Sequence, residues 1–472
     1  MSDSNEKPQA VAPDVTAFRD ADGEVSSVFV DKVASAIAAK DSERLRVLAS
    51  DLHEADLGAL LEALDHDDRP RLVELMGDDF DFLALTEVDD HVREDILDEL
   101  PNETVAEGVR DLESDDAVTI LEDLDKEDRD EILGALPAVE RVALQRSLDF
   151  PEDSAGRLMQ TTVVTAPPFW TAGYMLDRML EAQAEELPDS FFEIFVVDPG
   201  HRLLGNVFLD TLVRARRTQT LEEILDSERR RVRVTDDREE VARLFERYNL
   251  VSVPVVDEAD RLVGVITIDD VVDVIQEEAD EDLKALGGVR SSEELSDTVF
   301  WTARSRFLWL FVNLVTAFIA ASVMGLFSGQ LQQMVALAVL SPIVASQGGN
   351  AATQTMTVAV RALATRELSR GNAARIIFRE ISVGALNGLA FGLLTGIVSA
   401  LWFGLPGIGV VIALAMLTNL LAGALGGILI PLVLDHFDID PAVSSGAFVT
   451  TVTDVVGFAS FLGFATLWFH LG

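Results

Sequence analysis

Apolar residues recur at a spacing of twelve along the first third of the chain. Starting at Leu52, every twelfth residue up to position 148 is apolar, and the residue three positions earlier is almost always apolar too. This i, i+3 pairing predicts short amphipathic helices, separated by acidic turns such as the one at 66–68. We expect a stack or superhelix of short helices, and the alternative is a single bundle with accidental phasing. The series comprises Leu52, Leu64, Met76, Val88, Leu100, Leu112, Leu124, Leu136 and Leu148.

A longer repeat follows this helical region. The tripeptide Val-Val-Asp at 196–198 recurs at 255–257, a shift of 59 residues, and each copy has the pattern strand, turn, strand, helix. This duplication resembles a tandem CBS pair spanning about residues 155–276. The two copies are expected at about 155–218 and 219–276.

The last part of the chain contains apolar stretches long enough to cross a bilayer. The first holds 21 residues without a charge, and about 20 suffice. Arginines cluster before the first stretch and between the second and third, so the positive-inside rule predicts a cytoplasmic N-terminus and an external C-terminus in a multi-pass protein of the cell membrane. The predicted spans are Phe307–Phe327, Met334–Ala364, Ile381–Leu405, Gly407–Leu434 and Val443–Trp468.

These patterns predict a multidomain protein. We expect an acidic disordered tail at 1–30, an α-helical superhelical N domain at 31–150 and the α/β tandem CBS domains. An acidic connecting helix at 269–300 then leads to an all-α transmembrane domain of five helices at 301–472.

Charge divides the chain sharply. Residues 1–300 carry 75 acids and 30 bases, a net charge of −45, whereas residues 301–472 carry six acids and seven arginines. Five Lys beside 32 Arg, together with this acidity, resemble proteins of salt-accumulating halophiles. An acidic surface disfavours nucleic acid as a partner. The tail lacks the apolar core of a secretory signal, and the absence of Cys excludes disulfides and thiolate metal sites.

No catalytic constellation is recognisable in the sequence. The six His form no paired metal motif, and no phosphate-binding glycine-lysine loop is present. We therefore expect a transport protein rather than an enzyme.

Asp454 is the only acid inside a predicted span. Counted from Pro441, it lies about 20 Å into the fifth helix, near the middle of the bilayer. A carboxylate there costs about 2.5–3.5 kcal/mol on insertion scales, which an ion pathway would justify. The alternative is a structural hydrogen bond to a neighbouring threonine at 450, 451 or 453.

The second span carries a further signal. Pro342 and the glycine pair Gly348-Gly349 interrupt an apolar run that is too long for one straight crossing. Close helix packing would explain the glycines, but not the amides Asn350 and Gln354, which offer neutral oxygen atoms to an ion.

Taken together, the helical repeat, the CBS pair, the acidic helix and the five spans resemble the MgtE family of magnesium channels from about residue 30 onwards. The segment 348–354 is similar to the second-helix motif of that family. The segments 440–442 and 450–457 are similar to its fifth-helix pore segment. Two departures concern the outer entrance: Ala352-Thr353 replaces the usual Gly-Asn, and the loop between the first and second spans holds no acid.

The resemblance implies a Mg²⁺-selective homodimeric channel with its pore on the two-fold axis. Mg²⁺ dehydrates reluctantly, so one carboxylate from each subunit in a hydroxyl-lined pore can hold the hydrated ion. The rival interpretations are transport of Co²⁺ or Mn²⁺, for which no His lies inside a span, and a nucleotide-sensing membrane scaffold. The residues expected along the pathway are Asp454, Thr450, Thr451, Thr453, Gly348, Gly349, Asn350 and Gln354.

The resemblance also implies that the acidic helix acts as a plug that cytoplasmic Mg²⁺ closes. Eight of the fourteen residues from Asp269 to Asp282 are acids, and a divalent ion shared between such carboxylates would turn repulsion into attraction. The alternative is halophilic adaptation, with the carboxylates holding hydrated K⁺. The family pattern assigns sensing to Asp237, Glu239, Asp270, Asp273, Glu278, Glu281 and Asp282, and Asn249 stands where the family usually has another acid.

The second CBS copy also carries a Thr-x-x-Asp spacing at Thr267 and Asp270. In such modules this spacing often holds the ribose of an adenine nucleotide, so ATP is a candidate ligand. A CBS pair used only for dimer packing is the alternative.

Overall fold

The computed structural model divides into two units at Gln276, and each is described separately. It describes residues 18–182, 187–188, 190–226, 230–290, 293, 299–368, 371–437 and 439–471.

Short helices occupy the chain up to residue 148. Their ends follow the twelve-residue series: Leu64, Leu100, Leu124 and Leu136 each cap a helix C-terminus with extended backbone and return into the core. The helices are α1 (Ser27–Ala39), α2 (Ser42–Ala49), α3 (Glu54–Ala63), α4 (Arg69–Met76), α5 (Asp90–Glu99), α6 (Asn102–Arg110), α7 (Ser114–Asp123), α8 (Lys126–Ala135) and α9 (Ala138–Leu148), with 3₁₀ turns at His66–Asp68, Gly77–Asp79 and Phe82–Leu85.

These helices pack mainly on near neighbours in the chain. α5 contacts α7, α7 contacts α9, and α6 contacts α8. Such second-neighbour packing is that of a stack of repeats rather than of one closed bundle. The predicted superhelical N domain is therefore confirmed.

Regular structure is present within residues 18–30, which the prediction had assigned to a disordered tail of residues 1–30. Arg19 forms a bridge with Val25, and α1 already begins at Ser27. The cause is local packing, because the Phe18 and Phe29 rings meet edge to face at 5.3 Å. Residues 1–17 lie outside the described part of the chain.

Two three-stranded sheets follow, and they share one topology. In each sheet the first strand runs parallel and the third antiparallel to the central strand. The register repeats with the sequence shift of 59, since Val196 pairs with Gly205 and Val255 with Gly264. In chain order the elements of the first copy are α10 (Ala155–Leu158), β1 (Thr165–Ala166), α11 (Ala172–Glu181), β2 (Glu193–Val197), β3 (Leu203–Phe208) and α12 (Leu209–Arg214), and those of the second are α13 (Leu221–Ile224), β4 (Val232–Arg233), α14 (Arg238–Tyr248), β5 (Ser252–Val256), β6 (Leu262–Thr267) and α15 (Ile268–Leu286). The first helix of each copy packs on the core of the other copy, α10 on that of the second and α13 on that of the first.

Five helices of the described C-terminal region are long and apolar enough to cross a membrane. They match the five predicted spans, and a short helix, α17, follows the first of them. The helices are α16 (Val299–Gly325), α17 (Ser328–Gln333), α18 (Val335–Ala364), α19 (Ala373–Phe403), α20 (Pro406–His436) and α21 (Pro441–Phe469).

Two details differ from the sequence expectation. α18 continues through Pro342 and the glycine pair without a break, because a proline removes only one backbone donor and neighbouring helices support the segment. α19 begins at Ala373, eight residues before the predicted start at Ile381. The prediction followed the apolar run alone, and it therefore left out the first two turns of the helix, which carry charged side chains.

Glycines set the packing of α19 on α20. Gly384, Gly388, Gly392 and Gly396 are all buried, and a Cβ atom at any of them would lie within 2.8 Å of an atom of α20. Small residues every four positions let two helix backbones approach closely. This tight pair forms a scaffold on which α18 and α21 pack through α20.

Candidate functional site

A stripe of exposed polar side chains runs along α18. It consists of Ser346, Asn350, Thr353, Gln354 and Thr357. Among the described residues, neither amide side chain has a hydrogen-bond partner. Hydrocarbon provides no hydrogen-bond partners for such groups, so water or protein must lie against this face.

Asp454 lies on α21, partly exposed. Within the described part of the chain it has neither an ion pair nor a hydrogen bond. Thr450 and Thr451 donate to backbone carbonyls of their own helix at 2.9 and 2.6 Å. Thr453 is fully buried and donates to the Thr450 carbonyl at 2.9 Å. The alternative of a structural hydrogen bond from these threonines to the carboxylate is therefore not seen within the chain.

Glycines place α21 beside α18. A Cβ atom at Gly349 would contact Thr453 Oγ1 at 3.9 Å, and one at Gly457 would lie 3.4 Å from the Ala345 Cα atom. The two helices are therefore antiparallel, and Asp454 lies at the height of Gly349. The carboxylate and the polar stripe thus belong to one site.

Asn419 of α20 completes this site, and the sequence reasoning missed it. Its side chain is fully buried and donates to the Val344 carbonyl at 2.8 Å. A Cβ atom at Gly348 would lie 2.0 Å from Asn419 Nδ2, and one at Gly457 2.7 Å from the same atom. Gly348 therefore makes room for the amide rather than lining a pathway. The available signal was the single Asn within the fourth apolar span.

The end of α15 packs against the same two membrane helices. Ala285 is buried in an apolar cluster with Met356 of α18 and Val449 of α21. Nearby, burial raises the pKa of Asp282, and Asp440 raises it further while Arg361 opposes both effects. Two carboxylates thus meet where α15 reaches α21, and Asp440 is a partner that the prediction had not included.

A second group of carboxylates lies in the N-terminal unit. Oxygen atoms of Glu113, Asp115 and Asp116 all lie within 4.8 Å of one another. Burial and the neighbouring Asp270 raise the pKa of Asp115 well above its usual range, and the same two causes raise the pKa of Asp116 to about 7. Only hard oxygen donors are present, which is the ligand set that Mg²⁺ prefers.

Asp270 joins this group from the start of α15. Burial raises its pKa to about 7, although it accepts a hydrogen bond of 2.7 Å from Thr267 Oγ1. One helical turn later, Asp273 acts on Glu87, whose pKa is raised first by burial and then by that charge. Of the predicted sensing acids, the structure therefore brings Asp270 and Asp273 to carboxylates of the N domain. Sequence reasoning missed those N-domain partners because they are far away in the chain.

The other predicted sensing acids lie elsewhere in the structure. Asp237 caps α14 by accepting from the Glu239 backbone N–H at 2.9 Å, and Glu239 forms an ion pair with Arg243 at 2.9 Å. Glu278 and Glu281 are partly exposed on α15. The structure does not gather all seven predicted acids into one centre.

Three family models match the chain. The MgtE divalent cation transporter model matches residues 341–464, the MgtE intracellular N domain matches 52–153, and the CBS domain matches 221–277. The first match contains the polar stripe, Asn419 and Asp454.

Curated relatives extend over most of the chain. The magnesium transporter MgtE of Bacillus subtilis is 31% identical over 76% of this chain and 79% of its own length. The magnesium transporter MgtE of Thermus thermophilus is 34% identical over 69% of this chain and 72% of its own length. This chain belongs to the MgtE family.

Two solved structures are similar to about half of the chain. A crystal structure of the soluble part of a magnesium transporter is 25% identical, covers 53% of this chain and 98% of its own, and has a TM-score of 0.48. A crystal structure of the cytosolic domain of the Mg²⁺ channel MgtE in complex with ATP is 30% identical, covers 52% and 99% respectively, and has a TM-score of 0.47. The family models and the curated relatives confirm the predicted family. Together with the described helices they also confirm the predicted combination of helical N domain, CBS pair and five apolar helices.

The CBS pair of this MgtE protein has a cleft between its two copies. Thr267 lines it together with Glu193 and Ser252, which occupy equivalent positions 59 residues apart. Glu193 is buried and accepts hydrogen bonds from Ser252 and Asn206. Burial raises its pKa in spite of both hydrogen bonds.

The N-domain carboxylates predict a pH dependence. The groups that raise the pKa of Asp115 and Asp116 are Asp270, Asp269, Glu113 and Glu87. Since the raised pKa values belong to the assembled cluster, this arrangement binds more protons than a separated one. Its contribution to stability is fully present below about pH 4 and is lost as the pH rises through about 7.

We therefore expect protease cleavage of residues 1–276 in the full chain, in EDTA, to be roughly tenfold slower at pH 5.5 than at pH 8, which represents about 1.4 kcal/mol. Cleavage rates are normalised to an unfolded substrate at each pH. The Asp115→Asn/Asp116→Asn variant should reduce the difference, to which Asp270 and Glu122 still contribute, whereas Asp67→Asn/Asp130→Asn, with two exposed acids, should keep it in full. Equal wild-type rates at both pH values would contradict the prediction.

Proposed function

We propose that this MgtE-family protein moves Mg²⁺ across the cell membrane along a pathway bordered by α18 and α21. The observation that carries the proposal is Asp454, a carboxylate without a partner in the described chain, at mid-span beside the polar stripe, whose two amides also lack partners there. Ionisable residues within membrane helices face the bundle interior or a water-filled cavity and mark ion pathways.

A second copy of the chain would complete the pathway. One chain offers one carboxylate and a polar face that stays open, and a two-fold axis along that face would pair two copies of Asp454. Two carboxylates and a wall of amides and hydroxyls can hold Mg²⁺ through its water shell without stripping it. Asn350, Gln354 and Thr450 would face the ion, while Gly348, Gly349 and Thr453 set the spacing of the helices and Thr451 lies beside them.

We place the arginine-rich connection between α18 and α19 in the cytoplasm, with the N-terminal unit on the same side. The positive-inside rule supports this orientation. It puts Asp282, Asp440 and the end of α15 at the cytoplasmic end of the pathway.

Cytoplasmic Mg²⁺ would then control the pathway through two groups of carboxylates. One joins Asp270 to Asp115 and Asp116, and the other pairs Asp282 with Asp440. Each group is repulsive without a cation, so an ion that binds only the assembled group shifts the equilibrium towards it. Halophilic adaptation predicts acidity spread over the surface, and it does not account for the burial of Asp115 and Asp270.

A nucleotide in the CBS cleft is a second proposal. Thr267 and Asp270 stand at the spacing that suits a ribose, and Thr267 lines the cleft. Asp270 also faces Asp115 and Asp116, so nucleotide and Mg²⁺ would act on the same carboxylate.

Asp454→Asn should lower Mg²⁺ uptake into proteoliposomes by about tenfold or more, the factor that about 1.4 kcal/mol represents. The amide keeps the shape of the side chain and removes its charge. Asp435→Asn is the matched control, because Asp435 lies at the end of α20 and not at mid-span. Wild-type uptake by a folded Asp454→Asn protein would exclude this pore carboxylate, and a preference for Co²⁺ or Mn²⁺ in the same assay would favour the rival cargo.

Millimolar Mg²⁺ in molar KCl should protect residues 1–300 from protease. The protection should disappear in the Glu278→Ala/Glu281→Ala/Asp282→Ala variant and in Asp115→Asn/Asp116→Asn, and it should persist in Asp67→Asn/Asp130→Asn. High K⁺ is essential, because it screens general repulsion to a Debye length of about 3 Å and leaves direct coordination. Identical cleavage with and without Mg²⁺ would leave the acidity as salt adaptation.

Calorimetry with the full chain should show ATP binding that Thr267→Val weakens by roughly tenfold, since one hydrogen bond to a ribose is lost. The first copy has Phe208 at the place of Thr267 and Thr211 at the place of Asp270, so Thr211→Val makes the same chemical change outside the proposed ribose site and serves as the control. If no heat of ATP binding is measured either with or without Mg²⁺, the CBS pair serves only as a packing module.

A further inference from the structure

A cavity opens between α18, α19 and α20 at the end of the helices where the arginines lie. It encloses about 900 Å³ including its mouth. Its apolar lining includes Val358, Ala359, Ile376 and Ile428. Among the polar lining residues, Glu367, Asn372, Arg375 and Arg379 lie towards the connection between α18 and α19, and Thr355 and Glu380 lie farther along the two helices. A cavity lined by both apolar and charged side chains suits an amphipathic ligand.

Two arginines line this cavity without a carboxylate partner. Arg375 and Arg379 lie one turn apart on α19, and neither forms an ion pair or side-chain hydrogen bond with any described residue. By contrast, Arg93 pairs with Asp90 and Asp123. Like charges at i, i+4 repel each other, so an anion between these two guanidinium groups would relieve their repulsion.

The carboxylates of the cavity do not neutralise these arginines. Glu380 accepts a hydrogen bond of 3.3 Å from Thr355, and Glu367 is exposed, with its backbone carbonyl accepting from Asn372 at 2.6 Å. Two nearby carboxylates disfavour a free phosphate dianion. They are compatible with a phosphodiester, which carries one negative charge and whose attached chains would occupy the apolar walls.

The cavity lies at the depth of lipid headgroups. The 31 residues of α19 span about 46 Å, which exceeds the hydrocarbon core of about 30 Å. The first two turns, which carry Arg375 and Arg379, therefore extend into the interfacial layer. Basic pockets between membrane helices at this depth bind anionic lipid headgroups.

We propose that this cavity binds an anionic phospholipid, with its phosphodiester between Arg375 and Arg379 and an acyl chain along Val358 and Ile376. Guanidinium groups hold phosphate through paired, charge-assisted hydrogen bonds. The lipid fills the space between α18, which carries the polar stripe, and α19. The proposal is independent of the identity of the transported ion.

The test measures lipid binding to the purified full chain by native mass spectrometry, in neutral detergent with 0.15 M KCl. Phosphatidylglycerol should bind roughly 30-fold more tightly than phosphatidylcholine, the factor expected for two arginines near a membrane surface. Arg375→Gln/Arg379→Gln should abolish the preference. The control Arg290→Gln/Arg304→Gln removes the same charge outside the cavity and should keep it.

A second variant tests the cavity itself. Ala362→Phe fills the space and leaves both arginines in place. It should weaken phosphatidylglycerol binding by about tenfold or more. If the double glutamine variant does not fold, this variant alone tests the proposal. Equal binding of both lipids by the wild type would overturn the proposal, as would unchanged binding by Ala362→Phe. Displacement of the lipid by 10 mM inorganic phosphate would overturn it in favour of a free-phosphate site.

Discussion

A bilayer cannot hydrate polar groups, and this constraint governs the membrane half of the protein. Backbone donors beyond the first turn of a helix find acceptors within that helix, and most threonine and serine hydroxyls of the five long helices donate to carbonyls about one turn earlier. Against that background, a few unsatisfied polar groups stand out. These groups lack hydrogen-bond partners among the described residues. They are the Asp454 carboxylate, the amides of the stripe on α18 and the carbonyl oxygen of Asn419. Their position on adjacent helices is the basis of the pathway that we propose.

Small residues make that arrangement possible. The glycines of α19 bring it against α20, and Gly348 and Gly457 leave the space in which Asn419 reaches the Val344 carbonyl. One buried amide thus ties three helices together at the height of Asp454. Larger residues would separate these helices and move the carboxylate away from the polar stripe.

In the N-terminal unit, the main constraint is the electrostatic repulsion between buried carboxylates. Carboxylates from α7 and α15 meet there with raised pKa values, so protonation favours their assembly. Folding thereby gathers part of the overall acidity into one local group, on which the proposed regulation by Mg²⁺ rests. Because Asp270 also accepts from Thr267 at the CBS cleft, a ligand in that cleft would act on the same balance.

The sequence by itself determined the repeats, the register of the CBS copies and the five spans, because apolar residues that are buried in regular elements recur at fixed spacings along the chain. It also singled out Asp454, since a lone acid in an apolar run is visible without coordinates. Only the tertiary structure decided which groups meet: Asp115 with Asp270, Asp282 with Asp440, and Asn419 with Gly348. The structure also assigned Gly348 and Thr453 to helix packing and showed Arg375 and Arg379 without partners. Such pairings depend on distances between residues far apart in the chain, and local propensity and spacing carry no information about those distances.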